Sequence, residues 1–554
     1  MTKTNSNKLR IIPFGGLGEI GRNMMVLEYA DDIIVIDVGL MFPKEEMLGV
    51  DLVIPDFTYL IEHKKKLRAV FLTHGHEDHV GALPYFLKEF SCPVYSTRLT
   101  DGLIKVKLRE HKLLKNSDLH VVEPGDVIEA GVFSVEFFQV AHSIPDACGL
   151  IIGTPFGTIV HTGDFKIDHT PVMDQHTDLA RLGQVGAEGC LLLLADSTYA
   201  EEPGHTPSEQ AVGEEIKRLM VNTEGRVIVA TFASLISRVQ QVIDAAVFTG
   251  RKVFVTGRSM INNVAMAREL GYLEMPEGTI VGVDEMKRTP DAQMAIITTG
   301  SQGEPTSALT RMANGTHRHL AITEGDTIIV SATAIPGNET AVYRNVDNLL
   351  RLGAKVFRGG LSNVHVRGHA GAEELKIIQS LVQPDYFVPV HGEYRHMVAH
   401  ARLAESVGVP PGNAFIMTDG DVLEIDEFEA RRAGEIPASF VYIDGASIGE
   451  VDEYILRDRA HLSTDGVVVV MVAVDRRTGR LTRDVDILSR GFLDLEENAK
   501  LRKDAAEAVA KALSGKDHRA EIGEINARVR DALGKFLYDE TRQRPMVMPL
   551  TIEV

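Results

Sequence analysis

The sequence predicts an α/β protein: a sheet sandwich with metal ligands along one edge, interrupted by a parallel α/β insertion and followed by a small α/β module. Three observations predict it. The apolar, β-branched run Val70-Phe71-Leu72 passes straight into Thr73-His74-Gly75-His76-Glu77-Asp78-His79, so a strand delivers histidines and a carboxylate to one loop. Similar runs end on His142, Asp164 and His391. Between Asp164 and His391 lies a long stretch of alternating strand-like and helix-like segments, which reads as a parallel sheet inserted into the ligand-bearing domain.

Imidazole and carboxylate groups at this density suit a borderline divalent ion such as Zn²⁺ or Mn²⁺. Alternation sends His74 and His76 one way and lets Asp78 and His79 face a second ion, so two metals are the economical reading. A solvated, His-rich turn would need neither Gly75 nor the hydrophobic strand before it. The further ligands follow the runs Val132 to Val140 (before His142), Thr158 to Val160 (before His161-Thr162-Gly163-Asp164) and Tyr386 to Val390 (before His391-Gly392-Glu393). Each alone reads equally well as a hydrogen-bonded strand end. Together they read as one site assembled at a sheet edge.

These residues carry a resemblance. THGHEDH, AHSIPD, HTGDF and PVHGE are similar to the motifs of the metallo-β-lactamase superfamily. The blocks IIPFGGLGEIGRNM, GLMFPKEEMLGVDLVIPD, DSTYAEEPGHTPSE, GRSM, TGSQGEP, IPGNE and HVRGHA resemble, in order, those of the ribonuclease J family in its beta-CASP branch. The likeness runs from about Leu9 to the end. It implies an αββα metallo-β-lactamase sandwich in two parts, 1–207 and 361–428, around a beta-CASP domain, 208–360. A linker, 429–455, and an oligomerisation domain, 456–554, complete the expected order.

Taken in order, Leu9 to Phe14 is a strand followed by a G-x-G-x-x-G stretch, Gly16 to Gly21. A dinucleotide fold would start a helix there, but Met24 to Tyr29 and Ile33 to Asp37 read as further strands, so the glycines are expected to bring a loop near the metals. Asp37 resembles the family's aspartate that supports the ligand histidines. Leu60 to Arg68 and Leu83 to Phe90 are predicted helices, and Ser208 a helix cap. The insertion is read as strands Arg226 to Ala230, Lys252 to Thr256, Ala295 to Thr299 and Thr327 to Ser331, with helices Leu235 to Phe248, Asn262 to Leu270 and Thr340 to Leu352. Small and basic groups at its strand ends, among them Ser234, Arg258 and Ser259, are candidate phosphate contacts.

His365-Val366-Arg367-Gly368-His369 resembles the family's H-x-S-G-H segment. The likeness implies a grip on the phosphate next to the scissile bond and a histidine paired with an acid such as Asp196. Arg367 departs from the family serine; its guanidinium is read either as a bidentate phosphate contact or as the partner of an acidic neighbour. The charged, Pro/Gly-punctuated stretch Asp426 to Ala438 reads as linker. Beyond it, strands are expected at Gly466 to Asp475, Arg483 to Gly491 and Pro545 to Val554, with helices at Leu495 to Leu513 and Ala520 to Tyr538.

Composition bounds the answer loosely. The 554 residues are 44% hydrophobic and 25% charged, ordinary for a globular protein of several domains. The polar start and the lack of a long apolar run predict a cytoplasmic protein with no membrane segment. Cys92, Cys148 and Cys190 form no metal or disulfide spacing. A net charge of −20 runs against tight nucleic-acid binding, although bound cations and a local basic groove offset it.

The expected activity is two-metal hydrolysis of RNA. His74, His76 and His142 hold one ion, Asp78, His79 and His391 the other, and Asp164 bridges; a water activated between the ions attacks phosphorus in line, and His369 held by Asp196 assists the leaving oxygen. Asp78, Asp196 and His369 are the catalytic candidates. The family likeness adds 5′-to-3′ exonuclease action on 5′-monophosphate ends, endonuclease cuts, a homodimer or homotetramer, RNA-degradation partners and a structural Ca²⁺ near Gly49, Asp51 and Asp444. A DNA-processing nuclease of the same branch and a small-molecule metallo-hydrolase are the rivals. The first is disfavoured by His391, the second by so large an insertion.

Overall fold

Val70 and Phe71 close the strand Leu67–Phe71, which sits inside an eight-stranded mixed sheet of the computed structural model. Described are residues 8–554 except 45, 335–337, 446, 477, 479, 495–496 and 515–520. The Ile335-Pro336-Gly337 part of the IPGNE block, and the expected helix starts at Leu495 and Ala520, therefore lie outside the described residues. The chain divides into two units, Met1–Phe42 with Val53–Val441, and Pro43–Leu52 with Tyr442–Val554.

In the first unit, Leu67–Phe71 runs parallel to Asp32–Ile36, with Phe71 opposite Ile36, and parallel to Pro93–Ser96. Parallel neighbours finish at the same edge. Asp37 therefore lies beside the ligand loop, its N–H donating to Phe71 O at 2.9 Å. A second, six-stranded sheet contains the parallel trio Gly157–His161, Cys190–Asp196 and Tyr386–Val390. That register brings Asp164, Asp196 and His391 to one edge.

The two sheets face each other across a dry core that includes Ile11, Ile34, Phe71, Phe137, Leu150 and Leu192. Each such fully buried aliphatic or aromatic side chain contributes about 1.5–3 kcal/mol. Helices Arg98–Glu110, Leu179–Glu188 and Ala372–Val382 bury Leu99, Leu182 and Leu375 in a second core. This is the expected αββα sandwich.

The insertion holds a five-stranded all-parallel sheet in the order Lys252–Thr256, Met294–Thr298, Val227–Ala230, Thr327–Val330, Lys355–Arg358. Its helices Ile236–Phe248, Arg258–Glu269 and Glu339–Arg351 fall within a few residues of expectation. A buried charge network ties it to the sandwich. Arg238 donates to Glu209, to Ser331 Oγ and, at 3.0 Å, to Val364 O. Lys166 Nζ lies 3.2 Å from Asp168 and 3.7 Å from Glu209.

Two local readings are corrected. The predicted helix Leu60 to Arg68 ends early: the helix is Thr58–Glu62, a 3₁₀ turn covers Lys64–Lys66, and Leu67 already pairs with Ile33. The sheet ladder there overrides local helix propensity. The predicted linker contains the strand Ala430–Glu435, antiparallel to Asp421–Ile425 at the sheet edge. Its charge is that of a protected edge strand, with Arg432 pairing Asp421 and Arg431 lying 3.6 Å from Glu424.

The second unit has a three-stranded sheet with Val467–Val474 in the middle, antiparallel to Asp486–Arg490 and parallel to Met546–Glu553. Strand alternation points Val468, Val470 and Val472 at Val509, Val529 and Leu533 of helices Ala499–Leu513 and Ile522–Thr541. The helix Glu453–Asp465 precedes them. Among the described residues no helix is long and apolar enough to cross a membrane.

Candidate metal centre

The sandwich edge gathers every sequence-predicted ligand. One group of ligand atoms comprises His74, His76, His142 and Asp164; a second comprises Asp78, His79, Asp164 and His391, so Asp164 belongs to both. His76 Nδ1 lies 3.0 Å from His74 Nε2 and 3.2 Å from His142 Nε2. Asp164 Oδ2 stands 3.5 Å from His74 Nε2 and 3.2 Å from His79 Nε2, and His391 Nε2 is 3.2 Å from Asp78 Oδ2.

These separations fit ions. Around a tetrahedral ion with bonds of about 2.0–2.1 Å, ligand atoms stand about 3.3–3.4 Å apart.

Partners on the far side of four of the five rings fix their tautomers. His79 Nδ1 donates to Asp37 Oδ2 at 2.8 Å, His142 Nδ1 to Gly368 O at 2.7 Å, and His391 Nδ1 to Thr198 Oγ1 at 2.6 Å. Thr198 passes its own hydroxyl proton to Asp196 Oδ1 at 2.7 Å. Likewise Thr73 Oγ1 donates to Asp37 Oδ2 at 2.8 Å and accepts from His74 Nδ1 at 3.1 Å. In His74 and His142 this leaves an unprotonated Nε2 facing inward, while in His79 and His391 it turns Nε2 toward the carboxylates of Asp164 and Asp78. Lone pairs facing one another at such distances repel unless a cation sits among them.

Electrostatics divides the centre. Burial, reinforced by neighbouring histidines, holds His74 and His142 well below the usual imidazole range and His76 at about 4, so these rings are neutral and free to offer a nitrogen to a cation. At His79 burial acts the same way, but the carboxylates of Asp164, Asp78 and Asp37 outweigh it and lift the ring to about 10. His391 is likewise raised against its burial, by Asp164, Asp196 and Asp78. Asp164 is held well below the carboxylate range by the surrounding histidines, although burial opposes this. The carboxylate-rich half demands positive charge.

Backbone conformation is strained where it positions these groups. Asp37 (φ 59°) and His391 (φ 53°) occupy the left-handed region, uncommon for residues with a side chain. Gly39 has a different reason: a Cβ there would lie 1.6 Å from Asp78 O, so only glycine lets the Asp37–Gly39 turn pass under the ligand helix Glu77–Val80.

Beside the ligands, His369 Nδ1 donates to Asp196 Oδ2 at 2.7 Å. Burial lowers the affinity of His369 for a proton, but Asp196 and Asp164 overcome this and raise it.

Several contributors escaped the sequence reading. Asn23 Nδ2 lies 3.1 Å from both His79 Nε2 and Asp78 O, at the end of the glycine loop whose Leu17-Gly18 pairs with Gly392-Glu393; proximity to the G-x-G-x-x-G stretch was the only signal. Thr198, Thr73 and the Gly368 carbonyl act through single hydrogen bonds that have no periodic signature.

Other predicted residues are placed as follows. His365 is half-buried, and desolvation together with the Arg238 and Lys166 charges holds it at about 3; Val366 is buried. Arg367 Nη1 pairs with Glu202 at 2.9 Å, its guanidinium 4.8 Å over the Tyr199 ring. Ser234 is half-buried, and Arg258 and Ser259 are exposed at a helix start. In the second unit, Asp444 pairs with Arg459 at 2.5 Å, Arg459 also donates to Leu48 O at 2.9 Å, and Asp51 accepts from Gly445 N at 2.7 Å. A guanidinium thus supplies positive charge where a structural cation was expected.

Comparison with known proteins agrees with this geometry. Family models match for the metallo-beta-lactamase superfamily (17–208), the ribonuclease J beta-CASP domain (224–349), the Zn-dependent metallo-hydrolase RNA specificity domain (357–416) and the ribonuclease J C-terminal domain (454–554). The chain is 42% identical to Ribonuclease J2 of Bacillus subtilis, covering 100% of both chains. It is 43% identical to Ribonuclease J 1 of Streptococcus pyogenes, over 99% of this chain and 98% of that one. For Ribonuclease J of Thermus thermophilus the figures are 44%, 98% and 95%. A crystal structure of a protein of unknown function from Enterococcus faecalis V583 shares the fold, with a TM-score of 0.56, 19% identity and coverage of 76% of this chain and 100% of that one. With its clusters of histidine and aspartate that could hold metal on an αββα sandwich and full-length identity above 40%, the chain belongs to the ribonuclease J family of metal-dependent ribonucleases.

Proposed function

We propose that this protein degrades and matures RNA in the cytoplasm as a two-metal phosphodiesterase, removing nucleotides 5′ to 3′ from 5′-monophosphate ends and also cutting internally. The observation that carries the reading is the pair of ligand clusters sharing Asp164. Bound there, two Zn²⁺ or Mn²⁺ ions supply Lewis acidity, an activated water and screening of the charge that develops on phosphate oxygens.

The chain's own groups supply the rest. His74, His76 and His142 offer neutral nitrogens, Asp78, His79 and His391 a charged set, and Asp37 and Thr198 hold their rings in place. Asp78, partly exposed and kept ionised by His79 and His391 against the cost of desolvation, accepts the proton of the attacking water. His369, held by Asp196, whose charge raises the proton affinity of the ring against its burial, donates to the leaving oxygen, as in general acid–base catalysis. The Val366 to Gly368 backbone, Ser234, Arg258 and Ser259 contact phosphates, with His365 supporting them from within.

A pocket for one terminal phosphate discriminates by unmatched charge. Exonuclease rates should therefore fall sharply from 5′-monophosphate to 5′-triphosphate RNA while internal cutting changes less; equal exonuclease rates on both ends would remove the end-sensing pocket.

We also assign subunit pairing, as a homodimer or homotetramer, to the second unit. Its sheet leaves Leu488, Met548, Leu550 and Ile552 exposed on the face away from the helices, Ile552 at 57%, and an apolar row of this kind marks a protein interface. Protein partners in RNA degradation follow from the same reading.

A further inference from the structure

Two segments meet beside His369. The strand Cys190–Asp196 ends on Asp196 and the loop after it carries Tyr199 and Glu202; the return segment carries Arg367 and His369. They are joined by a bridge between Tyr199 and Gly371, by Ala372 N donating to Glu202 O at 2.9 Å, and by Thr206 Oγ1 donating to His369 O at 2.7 Å. The Arg367–Glu202 ion pair is the solvent-side member of this series, its side chains 29% and 50% exposed.

Tyr199 lies between. Its ring is 4.8 Å from the Arg367 guanidinium carbon and 5.8 Å from the His369 ring centroid. His369 meets His391 in a stacked contact at 5.3 Å and His142 edge-on at 5.0 Å. Its ring is thus bounded by two candidate ligands and by Tyr199, which in turn touches Arg367. A stacked guanidinium is a planar lid that lysine or serine cannot reproduce.

We propose that Arg367 is a positioning residue: with Glu202 it clasps Tyr199 against His369 and so holds the proton donor in place. This rests on the ribonuclease reading and deepens it. The clasp replaces the hydroxyl of the family serine with a stacking contact, and Arg367 acts through Tyr199 and not on a phosphate. An exposed ion pair adds little stability, so the variants should fold.

The experiment measures kcat, KM, the salt dependence of KM and metal content on 5′-monophosphate RNA for the native enzyme, Arg367→Ser, Glu202→Gln and the double variant. Loosening the donor lowers kcat, several-fold to about tenfold for a small misplacement. KM, its salt slope and metal content should hold, and the double variant should be no worse than the poorer single one, because both act through one ring. Were Arg367 a phosphate contact, Arg367→Ser would raise KM, keep kcat and flatten the salt slope by about one, while Glu202→Gln would lower KM by freeing the guanidinium. Either that pattern or native kinetics in every variant overturns the clasp. Native enzyme inert on RNA in the same assay would overturn the ribonuclease reading itself, and the clasp with it.

Discussion

A histidine is a more dependable metal ligand when its other ring nitrogen is held, and here Asp37, Gly368 O, Thr198 and Thr73 do that for His79, His142, His391 and His74. His76→Ala should leave the fold intact and lower hydrolysis by more than about 100-fold; Asp37→Ala, which removes the partner of His79 and the acceptor of the Thr73 hydroxyl that holds His74, should cost about 10–100-fold in metal affinity or activity. Metal analysis beside activity separates the two, and full activity of His76→Ala in metal-replete buffer would contradict the assignment. The ligands were legible because each follows an apolar strand, while Asn23 and Thr198 were not, since a lone amide or hydroxyl reads the same at any strand end. His400 offers a test away from the ligands. It is fully buried, its Nδ1 is 3.0 Å from Ser197 Oγ, and burial pushes it from the usual 6.5 to about 3. A depressed folded pKa means that the unfolded chain binds a proton the fold refuses. Stability tied to this ring is present above pH 6.5 and is lost as pH falls toward 3; His400→Gln should soften the acid side of a stability profile in that window, and an unchanged profile would show that His400 plays no part.

At the scale of elements, parallel strands place the chemistry. Ile36 opposite Phe71, and Asp196 opposite Val390, bring four strand ends to one edge, which the sequence showed only as a recurring pattern. The edge strand Ala430–Glu435 was misread for a physical reason: exposed at an edge, it carries the charge of a linker. The Arg238–Glu209–Lys166 network was invisible as well, because its members lie far apart in sequence. Arg238 is fully buried, so Arg238→Met should strand Glu209 and cost about 3–5 kcal/mol, whereas Arg238→Met with Glu209→Met should recover much of it. Thermal melting of the three proteins checks this; equal midpoints for the single variant and the native chain would show that the network does not hold the insertion.

At the scale of the molecule, the proposed reading gives hydrolysis to the first unit and subunit pairing to the second. The first unit extends to Val441, where Ser439 O accepts from Arg22 at 3.4 Å and Phe440 lies under its guanidinium at 4.3 Å, so a cut near Ala438 would remove part of that packing. A chain ending at Val441 should keep its metals and lose subunit association, which light scattering reads directly; an unchanged mass would remove the pairing role of the second unit. The net charge of −20 predicts weak binding to RNA away from the site, leaving cleavage to depend on the metals. The most direct measurement is to incubate purified native protein and His76→Ala with 5′-monophosphate RNA and matched DNA, with Mn²⁺ or Zn²⁺ and with chelator, resolving products by length. Metal-dependent shortening of RNA by the native protein, lost with chelator and in His76→Ala, is the predicted result; RNA left intact by metal-loaded native protein, or cut equally by His76→Ala, would contradict the account.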